Sequence, residues 1–259
     1  MHGPFVYFFC EVNYMYILSV DTTAKTAAAA VSVVKDDKVF PLCDARLNST
    51  LTHSESILPM IEFCLGNANV SLKEIDCIAI SAGPGSFTGV RIGIATVKGL
   101  AFGNENVKCI SVSSLEALAE NVSDEQKGTV ICACMDARRN QFYNALFSAN
   151  GKGNIKRLCK DRAIAEDELF MELAEKYSSR KIVLVGDGAL LAYKLLSAHD
   201  GFEKYKISVV RSDRMLQDAS SVARCAYRNI ENYISAENLS PVYLRLSQAE
   251  RERNERMSK

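Results

Sequence analysis

Histidine is the scarcest reactive residue in this chain: its 259 residues hold three, at positions 2, 53 and 199. None has a second histidine or a cysteine three or four positions away, so the sequence offers no zinc or iron ligand pair. Also absent are the G-x-S-x-G elbow of an acyl-transfer nucleophile, the G-K-[ST] ending of a phosphate loop and the G-x-G-x-x-G of a dinucleotide site. A Ser-His-Asp triad would have to recruit His53 or His199 with no motif around either. There is no excess charge of one sign, because 31 Lys and Arg balance 31 Asp and Glu. Long-range attraction to polyanions is therefore missing, which argues against a dedicated nucleic-acid or anionic-membrane binder. No apolar run approaches the roughly 20 residues that a helix needs to cross a bilayer.

What is present is ordinary globular composition, 48% apolar and 24% charged, enough for one large domain or two of about 100 to 150 residues. Nine cysteines stand singly in apolar stretches, an odd number without repeated spacing. That is reduced, cytosolic usage. Cys132 and Cys134 share one face of an apolar strand as small core residues. The first fourteen residues, MHGPFVYFFCEVNY, fit no targeting class. Met15 directly precedes a core-strand pattern, so translation is expected to begin there, with residues 1–14 outside the native protein.

From Met15 the periodicity predicts strands at 16–21, 26–35 and 38–45, with a tight turn at Asp36-Asp37. A helix over 53–66 carries one apolar stripe. Thr52 and Glu55 have capping-box spacing, and Pro59 inside the helix is expected to bend it or move its start. Strands at 75–82 and 107–112 flank a helix at 88–102, a right-handed crossover joining parallel strands. A helix at 113–121 comes next. The second half mixes strands at 129–136, 141–148, 181–186 and 206–210 with helices near 166–177, 188–198 and 217–233. These patterns imply two mixed-sheet α/β lobes, residues 15–112 and 113–259, with the late helix within 217–235 returning to the first.

Residues 81–103 hold six of the 14 glycines. Gly83-Pro84-Gly85-Ser86 follows a strand and precedes a helix, where backbone amides can hold an anion; a turn whose glycines let backbones pass closely fits better. Inside the helix Gly93 and Gly99 each cost about 1 kcal/mol relative to alanine. Small residues at 89, 93, 96, 99 and 103 form a flat strip that suits close helix packing, within the chain or against another subunit. Two turns, Asp21-Thr22-Thr23 and Gly186-Asp187-Gly188, stand where nucleotide-binding folds approach phosphate and adenosine, both in reduced form. Asp136-Ala137-Arg138-Arg139 is a charged strand end, most simply a solvated turn.

Five ordered blocks then form a pattern: HSESILPMI (53–61), AGPGSFTGVRIGIATVKGLAFG (82–103), VSSLEALA (112–119), MDARRNQFY (135–143) and PVYLRLSQAERE (241–252). Together they closely resemble the bacterial TsaB family, also called YeaZ, in register from about Met15 to Glu252. The resemblance implies an actin/hexokinase-like (ASKHA, RNase H-like) fold related to TsaD, the enzyme that transfers a threonylcarbamoyl group to N6 of the adenosine beside the anticodon. It also implies a non-catalytic partner subunit in a TsaB–TsaD heterodimer joined by a helical bundle, a TsaE-like ATPase docking on the assembly, homodimers when alone, tRNA met through the complex, and a cytoplasmic location.

The catalytic relative carries a metal-binding H-x-x-x-H pair, whose positions here fall at Ser114 and Leu118. No metal or cofactor is therefore expected on this chain, ATP and metal belonging to the partner subunits. The partner interface is expected at Ile57, Leu58, Ile61, Gly89, Val90, Arg91, Gly93, Ile94 and Val97, and Gly93→Leu is expected to abolish association while leaving the monomer folded. Asp21, Thr22, Thr23, Gly186 and Gly188 are expected to form a vestigial nucleotide site. The alternative is an enzyme in its own right, an ATPase or a metallopeptidase. Direct tRNA binding through Arg245, Arg251, Arg253 and Arg256 is disfavoured by the interleaved glutamates, which suit a solvated helix.

Overall fold

Strand β1 (Met15–Asp21) is buried on both faces, and its alternating side chains enter two different cores. Leu18 and Val20 meet helices α1 (His53–Ala68) and α2 (Phe87–Ala101), while Ile17 meets helix α6 (Ala219–Arg228). A near-continuous apolar run in a central strand has this cause. The computed structural model describes residues 14–49, 51–102, 104 and 107–245. The readings for residues 1–13 and for Arg251, Arg253 and Arg256 lie outside the described residues.

β1 pairs antiparallel with β2 (Ala27–Lys35), which turns through Asp36 and Asp37 into β3 (Lys38–Leu47). Both turn residues have positive φ, 50° and 56°, the conformation of a two-residue type I′ hairpin. On its other side β1 pairs parallel with β4 (Cys77–Gly83), and β4 with β5 (Lys108–Ser113), giving the order β3-β2-β1-β4-β5. Helix α1 starts at His53 despite Pro59, so its start is not displaced. The Glu55 carboxylate holds the first turn by accepting from the Thr52 N–H at 2.8 Å, as the capping-box spacing predicts.

The second sheet repeats this order. Strand β6 (Val130–Asp136) is its centre, antiparallel to β7 (Gln141–Ala149), which pairs with β8 (Ile155–Arg157). Across the centre β6 pairs parallel with β10 (Lys181–Val185), and β10 with β11 (Lys206–Val209). Strand β9 (Arg162–Ala165) also pairs with β7. Both β8 and β9 escape the sequence reading, because three- and four-residue strands are too short to show a period. Helices α4 (Glu166–Tyr177) and α5 (Ala189–Leu196) cover one face, over Val130, Cys132, Cys134, Ile182 and Leu184. Cys132 and Cys134 point the same way, their sulfurs 3.4 Å apart.

Helix α3 (Ser114–Glu120) sits between the lobes. Leu115 and Leu118 pack under the second sheet and Ala117 under the first. Buried Glu120 ties it to α6 by pairing with Arg224 at 3.2 Å and Arg228 at 2.7 Å. Helix α6 ends at Arg228 rather than 233; Asn229 leaves helical geometry at φ −114°, ψ 24°, and a separate 3₁₀ turn comes after it at Ile230–Asn232.

Candidate functional site

The lobes face each other across a cleft of about 640 Å³. On the N-terminal side its wall includes Thr23, Ala24 and Ser86, and behind Thr23 lies Asp21, whose side chain is buried and fully engaged. Oδ1 accepts from the Thr23 N–H at 2.8 Å and the Thr23 hydroxyl at 2.7 Å, and Oδ2 accepts from the Ser81 hydroxyl at 2.6 Å. Burial pushes the Asp21 pKa up, against the pull of these donors. Thr22 donates to the Gly89 carbonyl at 2.8 Å, and the Ser86 N–H donates to the Thr23 carbonyl at 2.7 Å. The aspartate turn and the glycine-rich loop are thus packed on each other, and the reading of that loop as a close backbone passage is the one realised. His53 lines the same wall, its Nε2 donating to the Ala24 carbonyl at 2.6 Å.

On the C-terminal side the wall is Asp136, Arg138 and Asp187, joined by Arg245. Asp136 Oδ1 accepts from the Arg138 N–H at 2.7 Å. Gly186 and Gly188 back onto the end of β6: Gly186 has φ +113°, and a Cβ there would overlap the Cys134 carbonyl. These glycines serve the packing of the turn on the neighbouring strand β6. Asp187 stands exposed at the cleft, yet the surrounding protein, and after it the Asp136 carboxylate, raises its pKa to about 6.

The expected interface helices look different in three dimensions. Ile57, Ile61, Val90, Ile94 and Val97 are all buried in the chain's own N-terminal core. Gly89 and Gly93 face Thr22; a Cβ at Gly93 would overlap the Thr22 hydroxyl and come within 2.9 Å of Ile80 Cδ1. Close packing by this part of the strip is therefore internal, and Gly93→Leu would disturb the fold rather than a docking face alone. Arg91 is exposed and engaged, donating from Nε to the Tyr243 hydroxyl at 2.7 Å. The outer faces of α1 and α2 instead carry Leu58, 46% exposed, Phe63, 56% exposed, and Gly99, where a Cβ would meet open space.

One juxtaposition is invisible to spacing arguments. His199 Nε2 lies 2.6 Å from Glu166 Oε1 and 3.6 Å from Asp167 Oδ1, with its ring stacked on Phe170 at 4.2 Å. The pairing spans 33 positions and joins the start of α4 to the turn after α5. The acids occupy the first turn of α4, where the helix dipole favours them without an ion.

A family model described as "TsaD: tRNA N6-adenosine threonylcarbamoyltransferase" matches residues 48–221. The tRNA threonylcarbamoyladenosine biosynthesis protein TsaB of Escherichia coli is 32% identical to this chain, over 89% of the chain and 95% of that protein. This chain belongs to the TsaB (YeaZ) family. TsaB of Bacillus subtilis is 25% identical over 91% of the chain and 96% of its own length. YeaZ from Pseudomonas aeruginosa superposes with a TM-score of 0.70 at 24% identity, over 89% of this chain and all of that one. The two mixed sheets, each flanked by helices, have the α/β fold of that YeaZ structure.

Within that TsaB-family fold, the positions matching the relative's metal ligands do not fit a metal. The Ser114 hydroxyl donates to the Pro84 carbonyl, and Leu118 lies in the core against Leu115, Ile131 and Val185. Neither side chain reaches the cleft as a ligand.

Proposed function

We propose that this chain is a non-catalytic partner subunit in the synthesis of N6-threonylcarbamoyladenosine beside the tRNA anticodon, where it binds and supports a TsaD-like subunit. The observation that carries the reading is the occupation of the inherited chemical positions by the chain's own structure. Asp21 spends its acceptors on Thr23 and Ser81, and the metal positions are Ser114 and buried Leu118. A scaffold kept while its chemistry is filled in acts by docking. The names of the relatives place those proteins in the same biosynthesis.

On this reading the outer faces of α1 and α2 receive the TsaD-like subunit, or a second copy of the chain in its absence, with Leu58 and Phe63 as apolar anchors. ATP and metal chemistry reside on the TsaD-like subunit and a TsaE-like ATPase, tRNA is met through the complex, and the assembly is cytoplasmic. The test is reconstitution of tRNA modification from purified components. Omitting this chain should abolish the modification, and Phe63→Glu should reduce association by at least about tenfold while the chain stays folded. Full modification without the chain sinks the proposal, as does zinc or nucleotide-dependent hydrolysis by the isolated protein.

A further inference from the structure

Besides the base formed by α3 and α6, residues 239–245 run from one lobe to the other. Leu239 is buried in the N-terminal core. Next, the Val242 N–H donates to the Ala82 carbonyl at 2.8 Å, at the end of β4. Tyr243 stacks on Phe87 with ring centres 4.5 Å apart and planes 15° apart. Arg91 covers both rings, 5.5 Å from the centre of Tyr243 and 6.0 Å from that of Phe87. Leu244 packs on the C-terminal core, and the Arg245 guanidinium, which lines the cleft, donates to the Ala137 carbonyl at 2.5 Å.

We propose that segment 239–245 is a clasp that fixes the angle between the lobes and so holds the cleft at one width. A two-lobed protein hinged at its base alone can rotate about that hinge. Here four residues link Leu239 in one core to Leu244 on the other, and the five steps between them span at most about 18 Å. Pro241 stiffens it further by fixing its own φ. Lobe rotation must then unseat Leu239, break the Tyr243 stack or withdraw Arg245. The clasp works as a unit, so freeing its Arg245 end loosens the Val242 hydrogen bond on the opposite lobe. This inference stands independently of the proposed partner.

The experiment is measurement of residual dipolar couplings and amide exchange on the full chain, comparing wild type, Arg245→Ala and Tyr243→Phe. In the wild type and in Tyr243→Phe, which keeps the aromatic stack, the amide vectors of both lobes should fit one alignment tensor. Arg245→Ala should split them into two tensors while each lobe keeps its own chemical shifts. The Val242 amide should exchange about tenfold faster in that variant, as expected for loss of roughly one charge-assisted hydrogen bond. A single tensor in Arg245→Ala, or unchanged Val242 exchange, overturns the proposal.

Discussion

The central strand of each lobe ends in an aspartate beside the cleft, Asp21 in the first and Asp136 in the second. The sheet order around them is the same, yet their surroundings differ. Asp21 is followed by two threonines, and the chain folds back so that Thr23 and Ser81 use both carboxylate oxygens. Asp136 is followed by Ala137, Arg138, Arg139 and Asn140, and the last three all hold positive φ, between 54° and 63°. That hairpin leaves Asp136 exposed, facing Asp187 and Arg138. One topological position has become core in the first lobe and cleft surface in the second. The residues just after each strand decide between these fates: short hydroxyl side chains close the turn, and a run of left-handed polar residues keeps it open.

The largest effect should come from invading the closed turn. Gly93→Leu places a branched side chain where even a Cβ overlaps Thr22 and approaches Ile80. Overpacking against backbone-anchored neighbours should cost about 3 kcal/mol or more. Gly99→Leu lies on the same helix with open space around it, and should stabilise the isolated chain by up to about 1 kcal/mol through helix propensity. Urea unfolding of the two variants checks the order, and equal losses would break the claim that the first turn is core.

Next in size is the contrast between the acids themselves. Asp21→Ala strands the Ser81 hydroxyl, the Thr23 hydroxyl and the Thr23 N–H in a buried site, which should cost about 3 kcal/mol. Asp136→Ala removes one acceptor that water can replace and should cost below about 1 kcal/mol. Denaturant midpoints of the pair measure the difference, and a reversed order would refute the division of labour between the lobes.

Much of the scaffold was legible because its signals are local. The strand centred on Leu18 and Val20, the Asp36-Asp37 hairpin and the Thr52–Glu55 cap each depend on neighbours within a few residues. The direction of the helix faces was not legible. Ile57, Ile61, Val90, Ile94 and Val97 form the apolar stripe, and the nearest apolar surface is the chain's own sheet, so the stripe is consumed internally. A face left for a partner must be found among the remaining side chains, such as Leu58 and Phe63. Contacts between distant segments left no trace either: Arg91 meets Tyr243 across 152 positions, and neither residue carries a periodic signal.

The smallest and most diagnostic effect concerns Asp187. Its pKa stands at about 6 against the usual 3.8, through the surrounding protein and then the Asp136 carboxylate. The folded chain thus holds this proton more tightly than the unfolded chain does, so stability falls as pH rises from about 4 to 6, and the full penalty persists above that window. Asp187→Asn removes the charge. Because the residue is exposed to screening solvent, the gain at pH 7 should be only about 1 kcal/mol, a rise in Tm of roughly 2 to 4 °C. At pH 4.5 the gain should shrink, since most of the folded wild type is then already neutral at this site. Asp136→Asn should lower the Asp187 pKa by removing the facing charge, observable as a shift of the same stability window toward lower pH. A gain for Asp187→Asn that does not vary between pH 4.5 and 7 would mean that the folded chain does not raise the Asp187 pKa, and an unshifted window in Asp136→Asn would mean that the two carboxylates of the open turn do not interact.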